Sequence, residues 1–174
     1  MEHRLAVLSD LDEIMHIINS AQAFLASSKV DQWQDGYPAR QDFENDIRLS
    51  ACHVFLQDNS IAGVITIALA REPDYATIYD GAWLTENTPY AVVHRSAVGE
   101  NYRNKTIAYQ MMSYAETFAA ENGFHSLRID THKMNLPMRG LLEKLQYSHC
   151  GTIYIDGRVS EKTARVCYEK LITN

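Results

Sequence analysis

The chain of 174 residues is 46% apolar and carries a formal net charge of −6, enough for one domain with a sizeable core and too acidic for any general attraction to nucleic acid or an anionic membrane. Its opening, MEHRLAVLSDLDEIMHII, is too polar for a secretory signal, and no apolar run reaches the roughly 18 residues of a spanning helix, so a cytoplasmic location and no membrane partner are expected. Cys52, Cys150 and Cys167 have neither CxxC spacing nor an even count, which speaks against a metal site or disulfide framework and for reduced, partly buried thiols.

HRLAV reads as a first strand. Ser9 with Asp12 and Glu13 then reads as the capped start of a helix that turns Leu11, Ile14, Ile17, Ile18 and Ala21 inward and fades near Ser27 and Ser28. A loop, KVDQWQDGYP, leads to a second helix, RQDFENDIRLS, with Phe43 and Ile47 on its apolar side. CHVFLQ and IAGVITIAL make a hairpin over Asp58, Asn59 and Ser60. After Pro73, YATIYDGAW is expected to be a strand, and beyond Pro89 so is YAVVHRSAV. A helix with Ile107, Met111, Ala115 and Phe118 at helical spacing follows, then strand SLRID, a helix carrying Met138, Leu141, Leu142 and Leu145, and a closing hairpin of SHCGTIYI and ARVCYEKL. Antiparallel strands first and one strand–helix–strand crossover late predict an α/β domain over 1–174. Its sheet should be mixed and mostly antiparallel, with a parallel central strand pair and flanking helices.

The junction NYRNKTIAYQMM opens the helix after YAVVHRSAV and contains no glycine. A helix N-terminus leaves backbone N–H groups unpaired and carries about half a positive charge, so it attracts an anion whatever its side chains. Arg103 and Lys105 add charge, Asn104 suits a left-handed backbone turn, and Thr106 offers a hydroxyl. On these residues alone, an anion-binding loop and an ordinary exposed turn both stand.

The stretch from VHRSAV to LEKLQY resembles the Gcn5-related N-acetyltransferases, the GNAT family. The family pattern R-x-x-G-x-G/A matches as Arg103, then Thr106 in place of the first glycine, then Ala108. Asn135 fits the asparagine near the start of the family's next helix, and LEKLQY fits its phrase Y-E-K-x-G-F. The resemblance implies a GNAT-like acyl-CoA N-acyltransferase fold, acetyl-CoA as acyl donor and an amine as acceptor. It implies the pyrophosphate at Arg103, Asn104, Lys105, Thr106, Ile107 and Ala108, the pantetheine arm against Ala97 and Val98, and Asn135 as a further cofactor-binding residue. The chain departs from the pattern at Asn104 and Thr106, often glycines, and at Leu142, where many members carry a tyrosine thought to protonate the departing thiolate.

Acetyl transfer needs a neutral amine and a route for its proton. Keeping a lysine-like amine neutral at pH 7 costs roughly 4–5 kcal/mol, so a base near the thioester matters. Four strand residues span about 13 Å, which puts His94 within reach of the thioester end and makes it the first candidate base. His132, ending the next strand, is the second, and for each a structural role is the alternative. His3, His16, His53, His125 and His149 carry no signal, and Arg128 and Asp130 read as a polar face or a buried ion pair. For the acceptor, Trp33 and Tyr37 are the expected wall, with Asp31 or Asp35 to attract a cationic amine; a hydrophobic latch by Trp33 is the alternative. Trp83 and Tyr90 are candidates for the opposite wall or a homodimer surface. The reading is thus an N-acetyltransferase acting on a small-molecule or peptide amine. Its rivals are a degenerate member that binds CoA or another ligand without turnover, and a protein-interaction module.

Overall fold

The computed structural model describes residues 1–103 and 106–172. In chain order the elements are β1 (Glu2–Leu5), α1 (Leu11–Ser27), α2 (Arg40–Arg48), β2 (Cys52–Gln57), β3 (Ser60–Ala68), β4 (Tyr90–Val98), α3 (Ile107–Glu121), β5 (Ser126–Thr131), α4 (Leu136–Lys144), β6 (Ser148–Tyr154) and β7 (Ala164–Leu171). The strands form one mixed sheet in the order β1-β2-β3-β4-β5-β7-β6, with β4 and β5 the parallel pair joined through α3. The chain divides into two compact units, Met1–Ile67 with Val93–Tyr114 and Ala68–Val92 with Ala115–Asn174.

In the first unit β1, β2 and β3 are antiparallel neighbours. Asp58 and Asn59 both take left-handed φ (52° and 63°) in the β2–β3 turn, the conformation a tight hairpin requires and short polar side chains tolerate. The helical spacing of α1 buries Leu11, Ile14, Ile17, Ile18 and Leu25, the first four of which join Phe43 of α2 and Val54 of β2 in one cluster. Asp10, not Ser9, stands at the N-cap position of α1 and makes no side-chain cap bond to the helix; its carboxylate accepts the Val7 N–H at 2.8 Å and pairs with Arg4 at 2.6 Å. The Arg4 hydrogen bond holds that carboxyl below the usual range. Gly63 sets how near α3 can lie to β3, since a Cβ there would stand 2.6 Å from Met111 Sδ and 3.3 Å from Ile107 Cγ2.

In the second unit β7 lies between β5 and β6 and is antiparallel to both. The strand expected over YATIYDGAW is not formed. Residues Pro73–Ala76 make a 3₁₀ turn, and the remainder holds one bridge, Tyr79 to Thr152. The backbone there is set by two constraints: Asp80 takes φ 55°, and Gly81 is pressed against the Cys150 carbonyl of β6 so closely that no Cβ fits. Tyr75 is 2% exposed and donates its hydroxyl to Asp130 at 2.7 Å. The segment therefore anchors through the Tyr75 side chain and that single backbone bridge, and has no continued ladder to satisfy a pleat. The β6–β7 hairpin has the predicted residues, with a bulge between His149 and Gly151.

Candidate active site

β4 opens on a buried apolar run, Ala91, Val92 and Val93, and its part within the first unit, which starts at Val93, continues through His94, Arg95 and Ser96, all half-buried. Arg95 has φ 45°. A left-handed residue inside a strand breaks the pleat and re-aims its neighbours, which arginine adopts only at a cost of about 1–3 kcal/mol. His94 precedes this kink, and Ala97 (6% exposed) and the half-buried Val98 follow it. The Gly99 N–H then closes on Ala62 O at 2.9 Å and fixes the exit of β4.

Arg103 follows a short turn over Glu100–Tyr102. Its Nη2 donates to Ser20 Oγ at 2.7 Å and Ser20 O at 3.0 Å, and its guanidinium lies 4.9 Å over the Phe24 ring. The side chain is thus held by α1. Thr106 is exposed, and its carbonyl accepts the Gln110 N–H at 3.0 Å, the first helical bond of α3. Ile107 is buried and Ala108 half-buried. The first N–H groups of this fifteen-residue helix lack intrahelical carbonyl partners, which makes its start an anion-compatible end. The predicted contributions of Asn104 and Lys105 lie outside the described residues.

The loop 31–38 belongs to the same unit. Trp33, at φ 65°, is half-buried against the α1–α2–β2 cluster. Tyr37 is 40% exposed, and its hydroxyl accepts from Arg95 Nη1 at 2.6 Å. Arg95 Nε and Nη2 grip both oxygens of Asp46 at 2.7 Å each, and Thr66 Oγ1 donates to the same carboxylate at 2.7 Å. Burial alone would lower the Arg95 pKa, but the Asp46 bond and the Tyr37 contact outweigh it and raise it. Sequence reasoning missed this group. The signal was present: Asp46 lies three residues after Phe43 on the inward face of α2, and a carboxylate there requires a cation.

The second unit holds the remaining candidates. His132 is 7% exposed at the end of β5, and its Nδ1 accepts the Met134 N–H at 3.2 Å. A neutral imidazole bonded in that way carries its hydrogen on Nε2. Asn135 caps α4, its side chain accepting the Met138 N–H at 3.4 Å. Leu142 is fully buried. Arg128 and Glu169, opposite one another on β5 and β7, form a buried ion pair. Trp83 and Tyr90 cover the Arg128 guanidinium at 4.2 and 3.8 Å from their ring centres.

All three cysteines are free and buried. Burial pushes the Cys52 thiol up to about 12, and raises Cys150 and Cys167 as well. None supplies a thiolate near neutral pH, so an acyl-cysteine route has no nucleophile here. Among the described residues no cluster of three or more His, Cys, Asp or Glu could hold a metal, and no helix is long and apolar enough to cross a membrane.

The acetyltransferase (GNAT) family model matches residues 13–147. Among solved structures, a GNAT-family acetyltransferase from Streptococcus agalactiae 2603 is 31% identical, with 99% of this chain and 96% of that one covered and a TM-score of 0.88. A GNAT-family acetyltransferase from Listeria monocytogenes 4b F2365 is 18% identical, covering 98% and 94%, at a TM-score of 0.74. A ribosomal-protein-alanine N-acetyltransferase from Brucella melitensis is 16% identical, covering 98% and 99%, at 0.69. The last two show the likeness of fold alone. No curated protein matches the chain.

Proposed function

The chain belongs to the acetyltransferase (GNAT) family, and from that premise we propose that it is an active, cytoplasmic N-acetyltransferase, a single catalytic domain over 1–174 that acetylates the amine of a small molecule or peptide. The observation that carries this reading is the β4–α3 junction: a strand kinked at Arg95, then Arg103, then a helix start drawn close to β3 by Gly63. Acetyl-CoA supplies the activated acyl thioester when bound. The chain's part is to hold its diphosphate, for which the first N–H groups of α3 and the Arg103 fork have the right chemistry. Ser20 holds only Nη2 of that fork, and a guanidinium has five N–H donors. Ala97 and Val98 would pair with the pantetheine arm, and Trp33 and Tyr37 would border the acceptor.

We assign removal of the amine proton to His94 ahead of His132. His94 stands on β4 immediately before the kink. The His132 ring already accepts a backbone N–H at Nδ1, which leaves its neutral form a donor at Nε2. With the cysteines held as thiols, the amine attacks the thioester directly.

The test is thiol release from acetyl-CoA with a panel of polyamines, aminoglycosides, amino acids and N-terminal peptides, beside titration calorimetry of acetyl-CoA binding. His94→Ala should lower kcat by about 10²–10⁴-fold near pH 7 with cofactor affinity kept. The loss should shrink as pH rises toward the amine's own pKa, about 10.4 for a lysine-like acceptor, above which the amine arrives neutral. Unchanged turnover in both His94→Ala and His132→Ala would remove both histidines from the chemistry.

One observation favours a second reading, a family member that binds CoA without turnover. Leu142 is buried where a phenol often stands, and Tyr75 and Tyr147 are pushed well above the usual phenol range by burial, which makes them poor proton donors to a thiolate. Tight acetyl-CoA binding with no thiol release across the panel would establish that reading instead.

A further inference from the structure

We propose that Arg95 is a positioning residue for the acceptor: by holding the Tyr37 hydroxyl it fixes loop 31–38 against β4 and so sets which amines reach the acyl group. The inference deepens the acetyltransfer reading and rests on it.

The geometry gives Arg95 three hydrogen bonds that serve two tasks. Nε and Nη2 form a two-point contact with Asp46 on α2, and Nη1 reaches Tyr37 at 2.6 Å. The Asp46 end is closed: its carboxylate is 8% exposed and also takes the Thr66 hydroxyl. The Tyr37 end is open, since Tyr37 is 40% exposed. A structural ion pair needs only the closed end. The third bond joins a rigid strand to an exposed loop, and it leaves from the residue whose left-handed φ kinks that strand. Loop and kink are therefore mechanically one piece. Other ties on the loop are of a different kind: Trp33 packs against the α1–α2–β2 cluster, and Gln22 Nε2 to Tyr37 O at 3.2 Å and Gln34 Nε2 to Gln22 O at 3.1 Å join neutral groups.

Chemistry also explains why the residue must be arginine. Only a planar fork can satisfy a carboxylate with one edge and a hydroxyl with the other. A lysine ammonium reaching Asp46 would leave Tyr37 unheld. Because Asp46 neutralises the guanidinium, while Asp31 and Asp35 lie in the same loop, the clamp adds no net positive charge beside the acceptor. That favours cationic amines such as polyamines over amino acids bearing a free carboxylate.

The test is a double-mutant cycle of Arg95→Lys and Tyr37→Phe, using spermidine and any other panel amine that the wild-type protein acetylates. Each single variant should raise the amine KM about tenfold, with acetyl-CoA affinity within twofold, and the double variant should be no worse than Arg95→Lys. Hydrogen exchange of the 31–38 amides should quicken in both single variants. Tyr37→Phe is the safeguard against misfolding, since it leaves the Asp46 pair intact. A KM unchanged in Tyr37→Phe, or effects that add independently, would overturn the clamp while leaving the enzyme reading in place. Amino acids preferred over polyamines would overturn the stated acceptor class. No thiol release by the wild-type protein with any panel amine would overturn the acetyltransfer reading itself, and this inference with it.

Discussion

The two units each bury an arginine against a carboxylate, and the pairs are built to different ends. Glu169 is wholly buried and Arg128 5% exposed at the side chain. Oε1 accepts from Arg128 Nε at 3.0 Å, Ser126 Oγ at 2.7 Å and Thr85 Oγ1 at 2.6 Å, while Oε2 accepts the Leu84 N–H at 2.6 Å. Arg128 Nη2 finishes on Thr85 O at 2.8 Å, between two aromatic rings. Every strong bond of that pair stays inside the packing. Arg95 and Asp46 are 15% and 8% exposed, and one arm of Arg95 leaves the interior for a surface loop. A buried ion pair closed on itself contributes rigidity, whereas one with an outward arm couples the interior to whatever the loop touches.

The largest effect follows from breaking the closed pair. Arg128→Ala strands the Glu169 carboxylate with its hydroxyl and amide donors but without a cation, and should cost about 3–5 kcal/mol. Urea unfolding should show this as a lowered midpoint, with the amine KM of the folded fraction unchanged. A loss below about 1 kcal/mol would mean that the Ser126, Thr85 and Leu84 donors suffice, and the contrast between the two pairs would fail.

That contrast was half legible in the sequence. Alternating Leu127 and Ile129 with Arg128 and Asp130 on one strand announced a polar partner, and β7 supplies it at register position Glu169. The long periodic helix α1 was equally legible, because it buries Leu11, Ile14, Ile17 and Ile18 as their spacing says it should. What failed had no period to read. The segment after Pro73 has strand composition, yet it is held by Tyr75 and two glycine contacts, which depend on where β6 comes to lie. Arg95 was passed over because an arginine in an apolar run reads as an outward-facing residue. Only the fold brings Asp46 beneath it.

A second test separates the units by pH. His53 of the first unit is 1% exposed, and burial, with His3 beside it, lowers its pKa from 6.5 to about 4. The unfolded chain therefore binds a proton that the folded chain refuses between these values, so stability falls as pH drops from about 6.5 to 4. The loss is at most about 3 kcal/mol, less any relief by solvent. Glu169 works in a lower window. Burial would raise its pKa, but the bonds from Thr85, Ser126 and Arg128 together outweigh this and hold it below 4.5. Its stabilisation is complete above 4.5 and is lost as pH falls through the folded value. His53→Gln should flatten the slope above pH 4.5 and leave the steeper acid limb. An unchanged slope in that window would place the protonation elsewhere.

A third arginine tests the smallest effect, because it pairs with neutral oxygens and not with a carboxylate. Arg103 is held by the carbonyl and hydroxyl of Ser20, and that hydroxyl itself donates to Glu100 Oε2 at 3.2 Å. A guanidinium positioned by neutral groups keeps its full attraction for a diphosphate, unlike Arg128 and Arg95, whose charge a carboxylate cancels. Arg103→Glu should therefore weaken acetyl-CoA binding by about 1.5–3 kcal/mol. Ser20→Ala removes the hydroxyl, one of the two positioning oxygens, and leaves the carbonyl and the charge, so the affinity should fall only by about 0.5–1 kcal/mol, the usual worth of one hydrogen bond that orients a side chain. The sign carries the argument. If Ser20 orients Arg103 toward the diphosphate, its loss weakens binding. If it draws the guanidinium away, Ser20→Ala tightens binding, and calorimetry showing tighter binding would make the Ser20 contact a competitor of the α3 site and not its support.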